Sequence, residues 1–256
     1  MRMVLLVITL AVSWGVLAQQ ENSTHWQDGM YWVYHAEVYR EVSKKQVLWD
    51  VSEVTFLAIK GMKLLDTEIW VVAVISHTTL LSLVIYTQEC FRPYMRWPLP
   101  VEFISTGAKP GPERGFFLEL ARKGLFGQGP TSFRLVSTGV EIEIAEEGKS
   151  AVSTYWTSYE AIAVRYSAKT GQQQREGVAW WADQVGWWVK AEGYEFDETS
   201  ISLRYSLVLK KYGVLGSEEL NAKLAEAFRN TVRQYPEIAE IIRKIFESLQ
   251  ITVPNT

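Results

Sequence analysis

The chain has 256 residues, enough for one large domain or two small ones. It is 48% hydrophobic and 21% charged, an ordinary globular balance, and its 11 Trp and 12 Tyr favour strands, core and interfaces. A formal charge of −3 with no basic cluster argues against nucleic acid as a partner.

Residues 1–18 read as a secretory signal. Arg2 supplies the positive start, Val4 to Leu17 is mostly apolar, and Ala18 is a small residue suited to cleavage before Gln19. The alternative is an uncleaved anchor, which would then be the only membrane contact. The run is shorter than the roughly 20 residues a span needs, and Thr9 and Ser13 interrupt it. Residues 19–28 form a polar lead-in with a glycosylation sequon at Asn22. Cys90 is the only cysteine, so the chain has no internal disulfide. It reads as a buried small residue, with an intermolecular disulfide as the alternative.

Gly29 to Val42 is rich in aromatic and β-branched residues and reads as a first strand. Lys44-Lys45 marks a turn, Gln46 to Ile59 a second strand, and Gly61-Met62-Lys63 its break. Ile69 to Tyr86 lacks Asp, Glu, Lys and Arg, but Ser76-His77-Thr78-Thr79 interrupts it. It reads as two buried strands joined there rather than as a spanning helix. Pro93, Pro98 and Pro100 predict irregular chain, and Glu113 to Lys123 fits a helix or a strand. From Phe133 the β-pattern resumes: Val140, Ile142 and Ile144 alternate with glutamates. Glu147-Gly148 reads as a turn, Ala151 to Trp156 as the return, and Ala161 to Tyr166 as a further strand.

Gly177 to Tyr212 is the most legible stretch. Asp183-Gln184-Val185-Gly186 is a turn between two Trp-rich runs, which sets Trp181 opposite Trp188 and Ala182 opposite Trp187. Strict alternation would then put Val178, Trp180, Ala182, Trp187, Val189 and Ala191 on a core face. Ala179, Trp181, Trp188, Lys190 and Glu192 would take the other. Leu203, Tyr205, Leu207 and Leu209 alternate with Arg204, Ser206 and Lys210 on the last strand. With Asp197-Glu198-Thr199 as the loop, Glu192 falls opposite Arg204 and Trp187 opposite Leu209.

The chain ends in two amphipathic helices. Ser217 is the expected N-cap of the first, with Leu220, Leu224, Ala227, Phe228 and Val232 as its stripe. Pro236 opens the second, in which Ile238, Ile241, Ile242, Ile245, Phe246 and Leu249 recur at helical spacing. The sheet is the expected docking surface for both; a partner or a membrane surface is the alternative.

Candidate chemistry is sparse. Gly148-Lys149-Ser150 lacks the earlier glycine of a phosphate loop, that position being Glu143. Gly127-Gln128-Gly129 lacks the third glycine of a dinucleotide fingerprint, and no G-x-S-x-G occurs. His35 and Glu37 share a strand face and form a metal pair with no third ligand. Glu192, Glu195, Asp197 and Glu198 form an acidic turn without the spacing of a calcium loop. No catalytic, metal or cofactor site is expected. Trp181 and Trp188, on the less apolar face, are the candidate ligand-binding residues. The alternative makes them a small core under the C-terminal helices.

The tandem hairpins AWWADQVGWWVKAEGYEFDETSISLRYSL resemble the closing strands of the lipoprotein-carrier (LolA-like) half-barrel superfamily, over roughly residues 136–212. That resemblance implies a curved antiparallel sheet around an apolar cavity. A helical pair after the last strand departs from it, and no functional residue maps to a matched position.

The expected architecture is α+β: a large curved antiparallel sheet, half-barrel-like, with two C-terminal amphipathic helices. Residues 29–256 are expected to form one domain, β-rich over 29–214 and helical over 217–250. The expected protein is extracytoplasmic, secreted or at the cell surface. It is expected to be a non-enzymatic binder of an apolar small molecule or lipid in the sheet's concavity. The alternative is a structural or interaction module with a filled core, whose partner is another envelope protein.

Overall fold

The computed structural model describes residues 26–43, 45–64, 67–87, 99–105, 132–137, 140–170, 173–196, 203–236 and 239–248. The strands are β1 (Met30–Val42), β2 (Lys45–Leu64), β3 (Thr67–Ser76), β4 (Thr79–Thr87), β5 (Leu99–Ser105) and β6 (Ser132–Ser137). They continue with β7 (Val140–Ser153), β8 (Ser158–Thr170), β9 (Gln173–Ala182), β10 (Trp187–Phe196) and β11 (Leu203–Val214). Two helices follow, α1 (Ser217–Gln234) and α2 (Ala239–Ser248). None of the described helices is long and apolar enough to cross a membrane.

All the strands lie in one antiparallel sheet, ordered β5-β4-β3-β2-β1-β11-β10-β9-β8-β7-β6. Two meanders, β1–β5 and β6–β11, meet where β1 pairs with β11. Among the described residues no ladder joins β5 to β6, so the sheet is open.

Alternation along β1 assigns the two faces. Trp32, Tyr34, Ala36 and Val38 are buried, whereas His35, Glu37 and Tyr39 between them are half-buried. The inner face continues through Val54, Phe56 and Ala58 of β2, Val72 and Val74 of β3, and Leu203, Tyr205, Leu207 and Leu209 of β11. The outer face of β2–β4 carries a second cluster: Leu57, Ile59, Val71, Ala73, Ile75, Leu80 and Leu83. On it sits α1, through Leu220, Leu224, Ala227 and Phe228. Phe246 of α2 packs edge-on against Phe228, ring centroids 6.1 Å apart. Thr231 fixes the docking. Its buried hydroxyl accepts from the Leu80 N–H at 2.8 Å and lies 2.8 Å from the Ala227 carbonyl, which takes its proton.

Several expectations need correction. Gly61 does not end β2: the strand runs to Leu64, with its ladder to β3 shifted at Ile59. Gly61 is required there because an added Cβ would come within 2.9 Å of the Trp70 ring lying across it. Pro100 is strand, in β5 at the end of the strand order, where proline is tolerated. Glu147-Gly148 is a bulge within a continuous β7 rather than a turn, with Gly148 at φ +100°. The α1 cap is Gly216, not Ser217: the Glu219 carboxylate accepts from the Gly216 N–H at 3.2 Å. Finally, α1 lies on the outer face of the β1–β5 half, so it does not cover Trp181 and Trp188. The readings of Cys90, of residues 113–123 and of Gly127-Gln128-Gly129 lie outside the described residues. So do those of Asn22 and Asp197-Glu198.

Candidate functional site

The turn 183–186 is as expected, with Trp188 paired to Trp181 and Trp187 to Ala182. Beyond it, strict alternation fails. The ladder shifts between Trp188 and Lys190, so Val189 is an extra residue in β10. After the shift Lys190 pairs with Trp180 and Ala191 with Ala179. The buried positions of β9 are therefore Ala179 and Ala182, whereas Val178 and Trp180 are half-buried. Trp180 sits beneath a cation instead of in the core, with the Lys190 Nζ 5.2 Å from its ring centre. The β10–β11 register is two residues from the expected one: Glu192 pairs with Ser206 and Tyr194 with Arg204. The parity survives because a shift of two residues is even. Gly193 is needed beneath the Tyr205 ring, for an added Cβ would meet the Tyr205 hydroxyl and come within 2.6 Å of the Glu176 carbonyl.

The bulge turns the end of the β9–β10 hairpin over the inner face. Phe56 and Trp187 have ring centroids 5.9 Å apart, although three strand spacings, roughly 14 Å along a flat sheet, separate β2 from β10. Trp187 stacks on Trp32 at 4.8 Å and 24°, and Trp26 leans on both. The turn's carbonyls lock this cluster. The Trp32 indole donates to the Val185 carbonyl at 3.1 Å, and the Trp26 indole donates to the Gly186 carbonyl at 2.9 Å. Tyr34 donates its hydroxyl to the Trp188 carbonyl at 2.5 Å. Three turn or strand-end carbonyls are thus held by side chains 153 to 160 residues away in sequence.

Trp181 and Trp188 are in edge-to-face contact at 5.7 Å and 87°. Trp188 is 0% exposed and belongs to the inner cluster; Trp181 is half-buried against it and donates its indole N–H to Asp183 at 2.9 Å. The two candidate residues are therefore together. The expected separation of Trp181 from Leu207 does not hold, because Leu207 pairs with Ala191 and Ala191 with Ala179, two residues from Trp181 on the same strand face. Beside them runs a row of small side chains across the inner face. Val164, Ala179, Ala191, Leu207, Ala36 and Ser52 are successive cross-strand partners from β8 to β2, and all are buried.

The outer face of the central strands is polar. The Glu37 carboxylate accepts from the Tyr39 hydroxyl at 2.6 Å and contacts the His35 ring at 3.1 Å. These bonds, Tyr39 first, hold Glu37 below the usual carboxylate range, and the same bond raises Tyr39. Arg204 lies over the Tyr39 ring at 5.6 Å. Tyr155, in the β7–β8 turn, reaches His35 edge-on at 5.5 Å although three strands separate β8 from β1. The His35–Glu37 pair on one face is as expected, and no metal cluster of three or more ligands occurs among the described residues. Chain pattern alone missed Tyr39, Arg204 and Tyr155 as partners, since only the β1–β11 register brings Arg204 opposite Tyr39.

No family model matches this chain, and no curated protein matches its sequence. Among solved structures, it is similar to a protein described as exported, with a YmcC-like fold, from Bacteroides fragilis. The identity is 11% and the TM-score 0.34, over 73% of this chain and 96% of that one. A protein from Parabacteroides distasonis described as a lipoprotein is 13% identical with a TM-score of 0.35, over 76% of this chain and 100% of that one. The lipoprotein YmcC of Escherichia coli, described as hypothetical, is 10% identical with a TM-score of 0.29, over 69% of this chain and 85% of that one. Likeness of this degree leaves the function to be argued from the chain's own residues.

Proposed function

We propose that the chain is an exported, non-enzymatic binding protein that takes an apolar, lipid-like ligand on the inner face of its sheet, beside Trp181 and Trp188. The observation that carries the reading is the row of small side chains at Ala179, Ala191, Ala36 and Ser52, next to a wall of large rings. These short side chains are themselves covered, Ala179 at 0% and Ala191 and Ala36 at 1% exposure, so a ligand enters by moving the half-buried Trp181 aside, and the short chains beneath leave room for an acyl chain once it has moved. The rim is held by hydrogen bonds from Trp26, Trp32 and Tyr34, so a ligand meets a preformed wall. Export rests on Arg2 and the apolar run from Val4 to Leu17.

Complete burial of Trp188 supports a second reading, a structural or interaction module whose inner face is filled by its own side chains. Titration with a fluorescent acyl probe separates the two. The binding reading expects saturable uptake that Trp181→Ala weakens about tenfold without loss of far-ultraviolet dichroism. Absence of uptake by folded protein, or uptake indifferent to Trp181, leaves the filled-core reading.

A further inference from the structure

Trp70 of β3 is 5% exposed and belongs to the inner cluster. Its indole lies across Gly61 of β2, which has no side chain to compete for the space. Trp26 links it to the candidate site: its ring stands 6.0 Å from Trp70 and 4.8 Å from Trp187, the neighbour of Trp188 in β10. Trp70 is thus the far end of the wall of rings that the β9–β10 hairpin closes over.

The polar atoms of this wall are not treated alike. The Trp26 and Trp32 indoles each donate to a turn carbonyl. The Trp70 Nε1 is also buried, yet among the described residues it has no hydrogen-bond partner. An indole N–H can only donate, and burying it unpaired is costly. The Trp26 ring, tilted at 66° to Trp70, offers at most a weak acceptor face. A buried donor without an acceptor at the edge of a proposed apolar site marks where a ligand's oxygen would be held.

The surroundings define the oxygen that fits. Among the described residues no charged side chain is buried. A carboxylate head would therefore enter unpaired, and Asp28, which accepts from the Gly61 N–H at 3.2 Å, would repel it. A hydroxyl or a primary amide brings a donor of its own that needs a further acceptor. A neutral carbonyl oxygen accepts and leaves nothing unpaired.

We infer that the Trp70 indole N–H takes the carbonyl oxygen of an acyl ester whose chain lies along the wall of rings towards Trp181. This role rests on the binding reading above and narrows the ligand to a neutral ester, against a free fatty acid or a plain hydrocarbon. A buried water is the other partner such a donor takes, and the test separates the two.

A fluorescent acyl probe is displaced from folded protein by methyl decanoate, by decanoate or by decane, in wild type and in Trp70→Phe. The ratio of ester to decane affinity is expected to fall about tenfold in Trp70→Phe, with the affinity for decane unchanged. Decanoate is expected to bind wild type at least about tenfold more weakly than the ester. A ratio that Trp70→Phe leaves alone, or decanoate as tight as the ester, overturns the role of Trp70 while the binding reading stands. Folded wild type that takes none of the three overturns both. Should Trp70→Phe fail to fold, the Trp70 indole N–H resonance of isotope-labelled wild type decides. It is expected to move downfield with methyl decanoate and to stay in place with decane. A resonance that the bound ester leaves in place has water as its partner, and the role of Trp70 falls.

Discussion

Replacing Trp32 by Phe probes the aromatic closure of the inner face. Three losses follow from the structure. The Val185 carbonyl loses its buried donor at 3.1 Å, at about 1 kcal/mol. The stacked contact with Trp187, 4.8 Å between centroids, shrinks to a phenyl ring, at about 0.5–1 kcal/mol. The missing ring atoms of a 0% exposed side chain leave a void worth about 1–2 kcal/mol. The total is about 2.5–4 kcal/mol, read as a lower urea midpoint with an unchanged slope. Trp26→Phe removes the matching bond to the Gly186 carbonyl, and because Trp26 touches Trp32 the two changes should couple by more than about 0.5 kcal/mol. Trp156→Phe, at an 80% exposed ring, is the control and should shift nothing. If Trp32→Phe cost no more than that control, the claim that the turn at 183–186 is locked by side chains of β1 would fail.

Four further outcomes are expected. Gly193→Ala should destabilise by about 1–3 kcal/mol, since its Cβ meets the Tyr205 hydroxyl and the Glu176 carbonyl; an unfolding midpoint equal to wild type would contradict that packing. Thr231→Val should cost about 1–3 kcal/mol by stripping the Leu80 N–H of its buried acceptor, and a neutral result would mean that α1 is not fixed there. Glu37 and Glu53 are both held below their unfolded values, so they add stability above the usual carboxylate range that is lost as pH falls through their folded values. Glu37→Gln should accordingly flatten the acid limb of a stability-pH curve below about pH 4, and an unchanged limb would refute it. Mass spectrometry of exported protein should give a chain starting at Gln19, with 25 basic and 29 acidic residues and a charge of −4; a retained Arg2 would point to an anchor.

Strand order of events was legible wherever side chains alternate without interruption. β1, β3, β4 and β11 fall where aromatic and β-branched residues predict them, and the 77–78 turn splits Ile69 to Tyr86 into two strands. What pattern could not supply was the bulges. A single extra residue at Val189 shifts the partners beyond it, so Ala191 pairs with Ala179 rather than Val178, and Ala179 is buried while Trp180 is half-buried. Nothing local marks that residue, since Val suits a regular strand. The bulge at Gly148 likewise carries the signature of a turn, because both require a positive φ. Of the candidate site, the Trp181–Trp188 pair was legible from one turn, whereas the rings packed on Trp187, those of Trp26, Trp32 and Phe56, come from chain far away in sequence. Helix placement was legible in kind but not in face. The α1 stripe demanded a partner, and both faces of β2–β4 are apolar enough to provide one.

Native mass spectrometry of the protein purified from its own host, with solvent extraction of the same sample, bears most directly on the binding function. The expected result is a folded chain carrying a discrete added mass that moves to the organic phase and is lost from Trp181→Ala. A folded chain at its bare mass, with an empty extract, would contradict it.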